Sequence, residues 1–266
     1  SNKLNQLLKN DNEKSVCFVL QNNVQKQVLD LFANKELIDS IITVPTDAQL
    51  RKDIALYLGK KKEINGSTIR VLMPELFWRT EKVKNNHYLD MICKELNIPN
   101  DTIRIKPNIN DEEKENILKT AQDKGLDVNN FIYILPESIS VNPIPMQFWQ
   151  KIIQALKNLG YDIYLNITNK RNRIDGTKTF HTNIKEAWTL AQKAKCIIGM
   201  RSGLIELLVS NKNVPAYILY NGENRIVRNS IKAINGLDHP YLHEYDFSDN
   251  SISEEYLINQ IIKEVK

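Results

Sequence analysis

The sequence predicts an α/β protein built from two Rossmann-like domains with parallel sheets. Short apolar runs alternate with amphipathic stretches along the whole chain of 266 residues, and this rhythm is typical of βα units. With 42% apolar residues the chain has ample material for a core, and its length suits two modest domains. A charged segment at 110–124 separates two series of units, so we predict domains at 1–109 and 110–266.

The first half consists of short elements whose apolar spacing identifies them. The pattern predicts strands at 15–20, 40–44, 68–73 and 103–105, and helices at 25–32, 47–58 and 86–96. Residues 110–124 follow as a charged helix with acidic residues in its first turn, where the helix dipole favours them. We expect the strands of this half to be parallel.

The second half restarts with a strand at 130–135. Its other predicted elements are strands at 161–167, 196–200 and 216–220, and helices at 146–159, 183–193, 204–209 and 254–264. Gly160 is suited to ending the first of these helices as its C′ residue. A basic loop at 169–173, which contains Arg171, follows the strand at 161–167.

Residues 194–220 are the most informative segment, because they combine a buried strand, a tight turn, a helix and a second buried strand. The turn, Arg201 to Gly203, lies where amide N–H groups and the helix dipole favour an anion such as a diphosphate. Ser202 is suited to capping the helix, and Gly203 would let a ligand approach the backbone. An ordinary strand-to-helix turn with a capping serine fits the same pattern.

Charge and cysteine content exclude several classes of protein. The net charge of +4 is small for this length, so we expect no nucleic-acid partner. Cys17, Cys93 and Cys196 are odd in number and far apart, which argues against disulfides and structural zinc. No apolar run approaches the roughly 20 residues that span a bilayer. We therefore expect a cytoplasmic protein. A peripheral position at the inner face of the membrane is the alternative.

A family resemblance rests on several features in a fixed order. They are Pro136-Glu137-Ser138 after a strand, a helix led by Pro145 that carries Trp149, Ile-Gly-x-x-Ser-Gly-Leu at 198–204, and Pro-x-x-x-Leu-Tyr at 215–220. In this order they resemble the donor-binding C-terminal half of GT-B glycosyltransferases. Within that class the chain is most similar to the heptosyltransferase-like family that extends bacterial surface polysaccharides. The resemblance covers roughly residues 130–222 and extends more weakly to 15–44.

The resemblance implies a donor site made largely of backbone and small polar groups. It puts Ser202, Gly203 and Leu204 at the turn that binds the diphosphate of a nucleotide sugar. It also puts Ser138 and Ser140 at the edge of the same crevice.

The chain departs from that family at two points. Arg201 stands where the family usually has an Asp, so we expect a cation to face the phosphates and stabilise the leaving diphosphate. A solvated turn arginine is the alternative. The family also begins with a βα unit whose acidic residue is the catalytic base, and we expect the N-terminal domain here to lack that unit. Glu75 is our candidate for a substitute base.

Two further charged residues are candidates for the donor site. Glu206, one turn into the helix, could accept hydrogen bonds from ribose hydroxyls, or could simply be a favourable first-turn acid. Arg171 in the basic loop could reach the nucleotide or a charged acceptor lipid, with a solvated loop as the alternative.

These features together predict a metal-independent, inverting glycosyltransferase without a cofactor. It would move a sugar from a nucleotide-activated donor to a bacterial surface glycan, a glycolipid or a related acceptor. Two alternatives stay open. One is a non-catalytic α/β binding module, or the remnant or fragment of a transferase, which the missing first unit favours. The other is a nucleotide-sugar epimerase of the same two-domain shape, which would need acid and base residues flanking the sugar.

Overall fold

The computed structural model describes residues 17–20, 23–32, 40–43, 61–64, 67–70, 107, 109–210, 213–222, 230–232, 240–248 and 253–265. The chain divides into two compact units. One comprises Ser1–Asn108 and Ile234–Gly236, and the other comprises Ile109–Ala233 and Leu237–Lys266.

The first unit contains a βαβ arrangement near its start. Strand β1 (Cys17–Leu20) leads into helix α1 (Asn23–Phe32), and strand β2 (Ser40–Thr43) then pairs with β1 in parallel. A parallel pair needs a crossover connection, and α1 lies within it. The predicted strand–helix–strand sequence at the start of this half is confirmed.

A hairpin replaces one of the predicted parallel strands. Strands β3 (Lys61–Ile64) and β4 (Ser67–Arg70) pair antiparallel. The strand predicted at 68–73 is therefore present over its described residues, but its pairing with β3 differs from the parallel arrangement that we expected for this half. The physical reason is present in the sequence, since Asn65-Gly66 between the two strands is the strongest short-range hairpin signal. The predicted helices at 47–58 and 86–96 and the predicted strand at 103–105 lie outside the described residues.

The second unit is a parallel five-stranded sheet with helices between its strands. Its helices are α2 (Asp111–Asp123), α3 (Met146–Asn158), α4 (Ile184–Lys193), α5 (Gly203–Leu208) and α6 (Glu254–Val265). Its strands are β5 (Phe131–Leu135), β6 (Asp162–Leu165), β7 (Ile197–Met200), β8 (Ala216–Tyr220) and β9 (Leu242–Asp246). The strand β9 was not predicted from the sequence.

Burial and capping explain why these residues form these elements. Every residue of β5, β7 and β8 is buried, as expected for strands covered on both faces. Helices α2 and α4 begin with complete capping boxes, Asn110 with Glu113 and Asn183 with Glu186. Gly160 follows α3 with φ +89°, a conformation that glycine adopts without strain.

The order of strands across the sheet is β6-β5-β7-β8-β9. From β5 the chain passes to β6 on one side and then to β7 on the other side. The order therefore reverses between β5 and β7. In open parallel sheets, ligands bind at such a reversal, outside the carboxyl ends of the two strands.

Gly199 lets β7 approach its neighbours closely. A Cβ atom there would lie 2.7 Å from the Leu135 carbonyl oxygen and 2.8 Å from Ile205 Cδ1. The end of the Ile205 side chain could move aside, but the Leu135 backbone in the neighbouring strand could not shift easily. Glycine at this position therefore lets β7 lie close to β5 at the strand reversal.

We predict that Gly199→Ala lowers the free energy of unfolding by about 1–3 kcal/mol, the cost typical of an overpacked core. Gly203→Ala is the matched control, because a Cβ there meets no atom within 4 Å. Denaturation in urea measures both. Wild-type stability in Gly199→Ala would contradict the close packing.

Candidate functional site

The candidate site begins where β5 and β7 end side by side. The Ser138 hydroxyl, just after β5, donates a hydrogen bond to the carbonyl oxygen of Arg201, just after β7. Ser138 Oγ also accepts from the amide of Ser140 at 3.0 Å. The two strand exits predicted to share a crevice are therefore adjacent and joined directly.

The turn between β7 and α5 leaves backbone amides exposed. Ser202 caps the helix as predicted, since its Oγ accepts from the amide of Ile205 at 3.2 Å. In the described part of the chain, the amides of Gly203 and Leu204 have no hydrogen-bond acceptor, as is usual for the first residues of a helix. Gly203 is exposed, and the space where its side chain would lie is open. An anion can therefore reach these two amides.

Two of the predicted donor-site residues form an ion pair with each other. Arg201 Nη2 lies 2.8 Å from Glu206 Oε2, and the two side chains are 11% and 31% exposed. Glu206 therefore offsets much of the positive charge that the sequence analysis assigned to the turn. Removal of one partner of a pair this shielded lowers the stability of the fold, because it leaves the other charge poorly solvated.

Glu137 fastens the exit of β5 to the loop after β6. Its Oε2 accepts hydrogen bonds from the amide of Thr168 at 2.7 Å and from the Thr168 hydroxyl. Its Oε1 accepts from the amide of Asn169 at 3.2 Å and from Asn172 Nδ2 at 2.8 Å. Partial burial acts to raise the pKa of the Glu137 carboxyl, but these hydrogen bonds outweigh burial and hold that pKa below its usual value.

The loop after β6 presents a basic turn at the same edge of the sheet. Residues Lys170–Asn172 form one turn of 3₁₀ helix, capped by Asn169, whose side chain accepts from the amide of Arg171 at 3.0 Å. The side chains of Lys170, Arg171 and Arg173 are exposed. None of these three cations lies within ion-pair distance of a carboxylate in the described residues.

The segment after β5 continues along the carboxyl edge of the sheet to β8. The amide of Asn142 donates to the Asn221 carbonyl oxygen at 2.9 Å, and Asn221 Nδ2 donates to the Pro143 carbonyl oxygen at 2.8 Å. The exits of β6, β5, β7 and β8 are thus linked through one segment. Ile139, within that segment, is fully exposed.

A polar cluster at the end of β8 borders the site. The buried Tyr220 hydroxyl donates to Glu244, which also accepts from the Ser230 hydroxyl at 2.6 Å and the Ile231 amide at 2.7 Å. Burial and the Glu244 carboxylate raise the pKa of Tyr220, whereas the charge of Arg201 acts to lower it. Sequence reasoning missed this cluster, because β9, which carries Glu244, was not predicted.

The predicted site residues fall into three groups. One group lines the β5 and β7 exits, and comprises Ser138, Ser140, Arg201, Ser202, Gly203, Leu204 and Glu206. Arg171 lies one strand away, on the turn that Glu137 holds. The candidate base Glu75 lies outside the described residues. Sequence reasoning also missed the role of Glu137, although a carboxylate at a strand exit beside Ser138 was a signal for it.

The described residues offer neither a cluster of metal ligands nor a helix that could span a membrane. That part of the chain contains no group of three or more His, Cys, Asp or Glu side chains able to hold a metal ion. It also contains no helix with the length and apolar character that crossing a bilayer requires.

Solved structures similar in fold to this chain include glycosyltransferases. A family 9 glycosyltransferase from Veillonella parvula has a TM-score of 0.61 and 13% sequence identity, covering 98% of this chain and 90% of that one. ADP-heptose LPS heptosyltransferase II from E. coli has a TM-score of 0.59 and 12% identity, covering 98% and 92%. A second E. coli heptosyltransferase, solved with ADP-2-deoxy-2-fluoro heptose, has a TM-score of 0.55 and 9% identity, covering 100% and 96%.

The chain therefore has the α/β fold of GT-B glycosyltransferases, as the sequence predicts. More narrowly, its structural neighbours are family 9 enzymes and heptosyltransferases. No protein-family model and no curated protein sequence matches the chain. The likeness is thus one of fold, at sequence identities of 13% and below.

We predict an energetic coupling between Arg201 and Glu206 of about 1 kcal/mol, since the residues are in contact and partly shielded from water. Arg201→Met, Glu206→Gln and the double variant, unfolded in urea, form the cycle that measures it. Each single variant should be less stable than the wild type. Strict additivity of the two single effects would show that the ion pair does not stabilise the fold.

Proposed function

We propose that this protein is a glycosyltransferase that takes its sugar from a nucleotide-activated donor. The observation that supports this most strongly is the likeness of fold to family 9 glycosyltransferases and heptosyltransferases over 98% or more of the chain. One of those neighbours was solved with an ADP-sugar analogue. The acceptor we propose is a bacterial surface glycan or a related glycolipid.

The donor diphosphate in this proposal lies at the turn between β7 and α5. The amides of Gly203 and Leu204 are the hydrogen-bond donors available there, and the reversed strand order opens the crevice beside them. Preorganised amides of this kind stabilise charge that develops on a leaving group without reorganising. Ser138 and Ser140 lie across the crevice and complete its polar wall.

Arg201 is our candidate for stabilising the leaving diphosphate. Its ion pair with Glu206 bears on how it could do so. The guanidinium has five N–H donors, and one of its terminal nitrogens faces Glu206. A ligand phosphate would then compete with Glu206 for Arg201, or share Arg201 with it. Glu206 becomes a residue that sets the charge and orientation of Arg201, besides being a candidate for the ribose hydroxyls.

We propose that residues 1–109 form the acceptor-side domain and residues 110–266 the donor domain, with Glu75 as the candidate base. Transfer would proceed with inversion and without a bound metal or cofactor, at the cytoplasmic face of the membrane or free in the cytoplasm.

The Arg201–Glu206 pair also favours a second candidate function, a non-catalytic nucleotide-binding module. In that case the arginine serves the fold, and nothing at the turn is left to stabilise a leaving group beyond the amides. The two candidates agree on nucleotide binding and differ on sugar transfer or hydrolysis of the donor.

Gly203→Ala tests the proposed diphosphate position. We expect wild-type protein to bind at least one of ADP, GDP, UDP and CDP, and the variant to bind it at least tenfold more weakly, because a methyl group would block close approach of phosphate to the amides. Stability without ligand should be unchanged or slightly higher, since alanine suits a helix better than glycine does. Isothermal titration calorimetry and thermal unfolding measure the two effects.

Failure of the wild type to bind any of these nucleotides, or of the matching nucleotide sugars, would contradict both candidate functions. Binding without turnover of any nucleotide sugar would favour the binding module.

A further inference from the structure

Glu137 is hydrogen-bonded to the basic turn after β6, but in the described residues it forms no ion pair with the cations of that turn. In the described residues, Glu137 accepts hydrogen bonds from Thr168, Asn169 and Asn172, all of them neutral. Lys170, Arg171 and Arg173 are exposed and are not ion-paired there. A turn that simply needed charge balance would pair these groups. The Glu137 carboxylate instead holds the backbone of the turn in place. The cations of the turn therefore stay available to an anion.

The contacts of Glu137 fix the two ends of this turn. Its Oε1 accepts from both Asn169 and Asn172, which flank Lys170 and Arg171 in the chain. Its Oε2 accepts from Thr168, the residue just before them. One side chain therefore closes the turn, and Lys170 and Arg171 lie between its points of attachment.

The same segment fixes the basic turn relative to the strand reversal. Glu137 is followed by Ser138, whose hydroxyl donates a hydrogen bond to the Arg201 carbonyl oxygen. Strands β6 and β7 lie on either side of β5, so they are about 10 Å apart at the usual spacing of strands. A phosphate-bearing ligand at the Gly203 amides therefore lies within reach of Lys170 and Arg171.

We propose that Glu137 is a positioning residue that holds Lys170 and Arg171 at the crevice as contacts for a phosphate group of the ligand. The inference rests on the proposed function where that phosphate belongs to a nucleotide. A phosphorylated sugar of the acceptor presents the same chemistry.

Positioning and simple electrostatics predict opposite results for Glu137→Gln. The substitution removes a negative charge beside three cations, and by electrostatics alone an anion should bind more tightly. A glutamine, however, has one acceptor oxygen in place of two, and its amide group would face donors. If Glu137 acts by holding the turn, the anion should bind more weakly even though the site has become more positive.

Asp175→Asn is the matched control. Asp175 is an exposed carboxylate just beyond the same turn, and no hydrogen bond or ion pair in the described residues involves it. Its removal changes the charge of the loop by the same amount without changing how the turn is held.

Binding of ADP, GDP, UDP, CDP, inorganic pyrophosphate and glucose 6-phosphate to each variant tests the proposal by calorimetry. We expect Glu137→Gln and the double variant Lys170→Ala/Arg171→Ala each to weaken binding about tenfold, the least expected for loss of a hydrogen bond to a charged group. Asp175→Asn should bind as the wild type does or slightly more tightly. In the Lys170→Ala/Arg171→Ala background, Glu137→Gln should cause little further loss, since it acts through those two cations.

The probes separate the sources of the phosphate. If the variants bind the nucleotides more weakly, the phosphate that contacts Lys170 and Arg171 belongs to the donor. If they lose affinity only for glucose 6-phosphate, that phosphate belongs to a phosphorylated acceptor. Pyrophosphate binding that depends on Glu137, without binding of any nucleotide, would support the phosphate contact and contradict the proposed function.

Three results would overturn the inference. The first is Glu137→Gln binding as tightly as the wild type or more tightly, with nucleotide binding intact. The second is an unchanged affinity in Lys170→Ala/Arg171→Ala, whose exposed side chains can be removed without unfolding the turn. The third is the absence of binding of every probe to the wild type, which would contradict the proposed function as well.

Discussion

The reversal of strand order between β5 and β7 is the constraint on which the candidate site depends. Parallel strands send their connections out at the same edge of the sheet, and a reversal separates the connections of neighbouring strands, which leaves a crevice. Here the place for such a crevice is at the exits of β5 and β7, which the Ser138 hydroxyl joins. Gly199 lets β5 and β7 lie close together at this reversal, because a Cβ atom there would lie 2.7 Å from the Leu135 carbonyl oxygen.

Two adjacent residues hold the rim of this crevice. Ser138 joins the β5 exit to the β7 exit, and Glu137 joins it to the turn after β6. Both use side chains to satisfy backbone groups that a sheet leaves unpaired at its ends. The result is a polar edge whose amides and cations have fixed positions before any ligand arrives, which is the condition for binding phosphate without a large ordering cost. The ion pair of Arg201 and Glu206 belongs to the same edge.

Local patterns predicted the fold of the second unit well. Buried runs at 131–135, 197–200 and 216–220 and the capping residue Ser202 are properties of short stretches. Strand β9 was missed because Leu242–Asp246 (LHEYD) is largely polar without a regular alternation, and only its first residue is buried. The hairpin of β3 and β4 was missed because the Asn65-Gly66 signal was given no weight.

The positions of the strand exits at the candidate site were predictable from the sequence, whereas most of their side-chain contacts were not. Since the exits of β5 and β7 follow from strand direction, Ser138 and Gly203 were placed correctly at one edge. The partner of Arg201, five residues on, and the partners of Glu137, in the loop after the next strand, depend on side-chain geometry across turns. Periodicity carries no information about such contacts. They changed the interpretation of Arg201 from an uncompensated cation to one half of an ion pair.

The most direct test of the account is to map nucleotide binding onto backbone amides. Isotope-labelled protein would be titrated with ADP, GDP, UDP and CDP while the amide chemical shifts are followed by NMR. The account predicts that the largest changes occur at Gly203 and Leu204, with smaller ones at Ser138 and Arg171. Changes centred instead on helix α6 would contradict it, and so would a spectrum that no nucleotide alters.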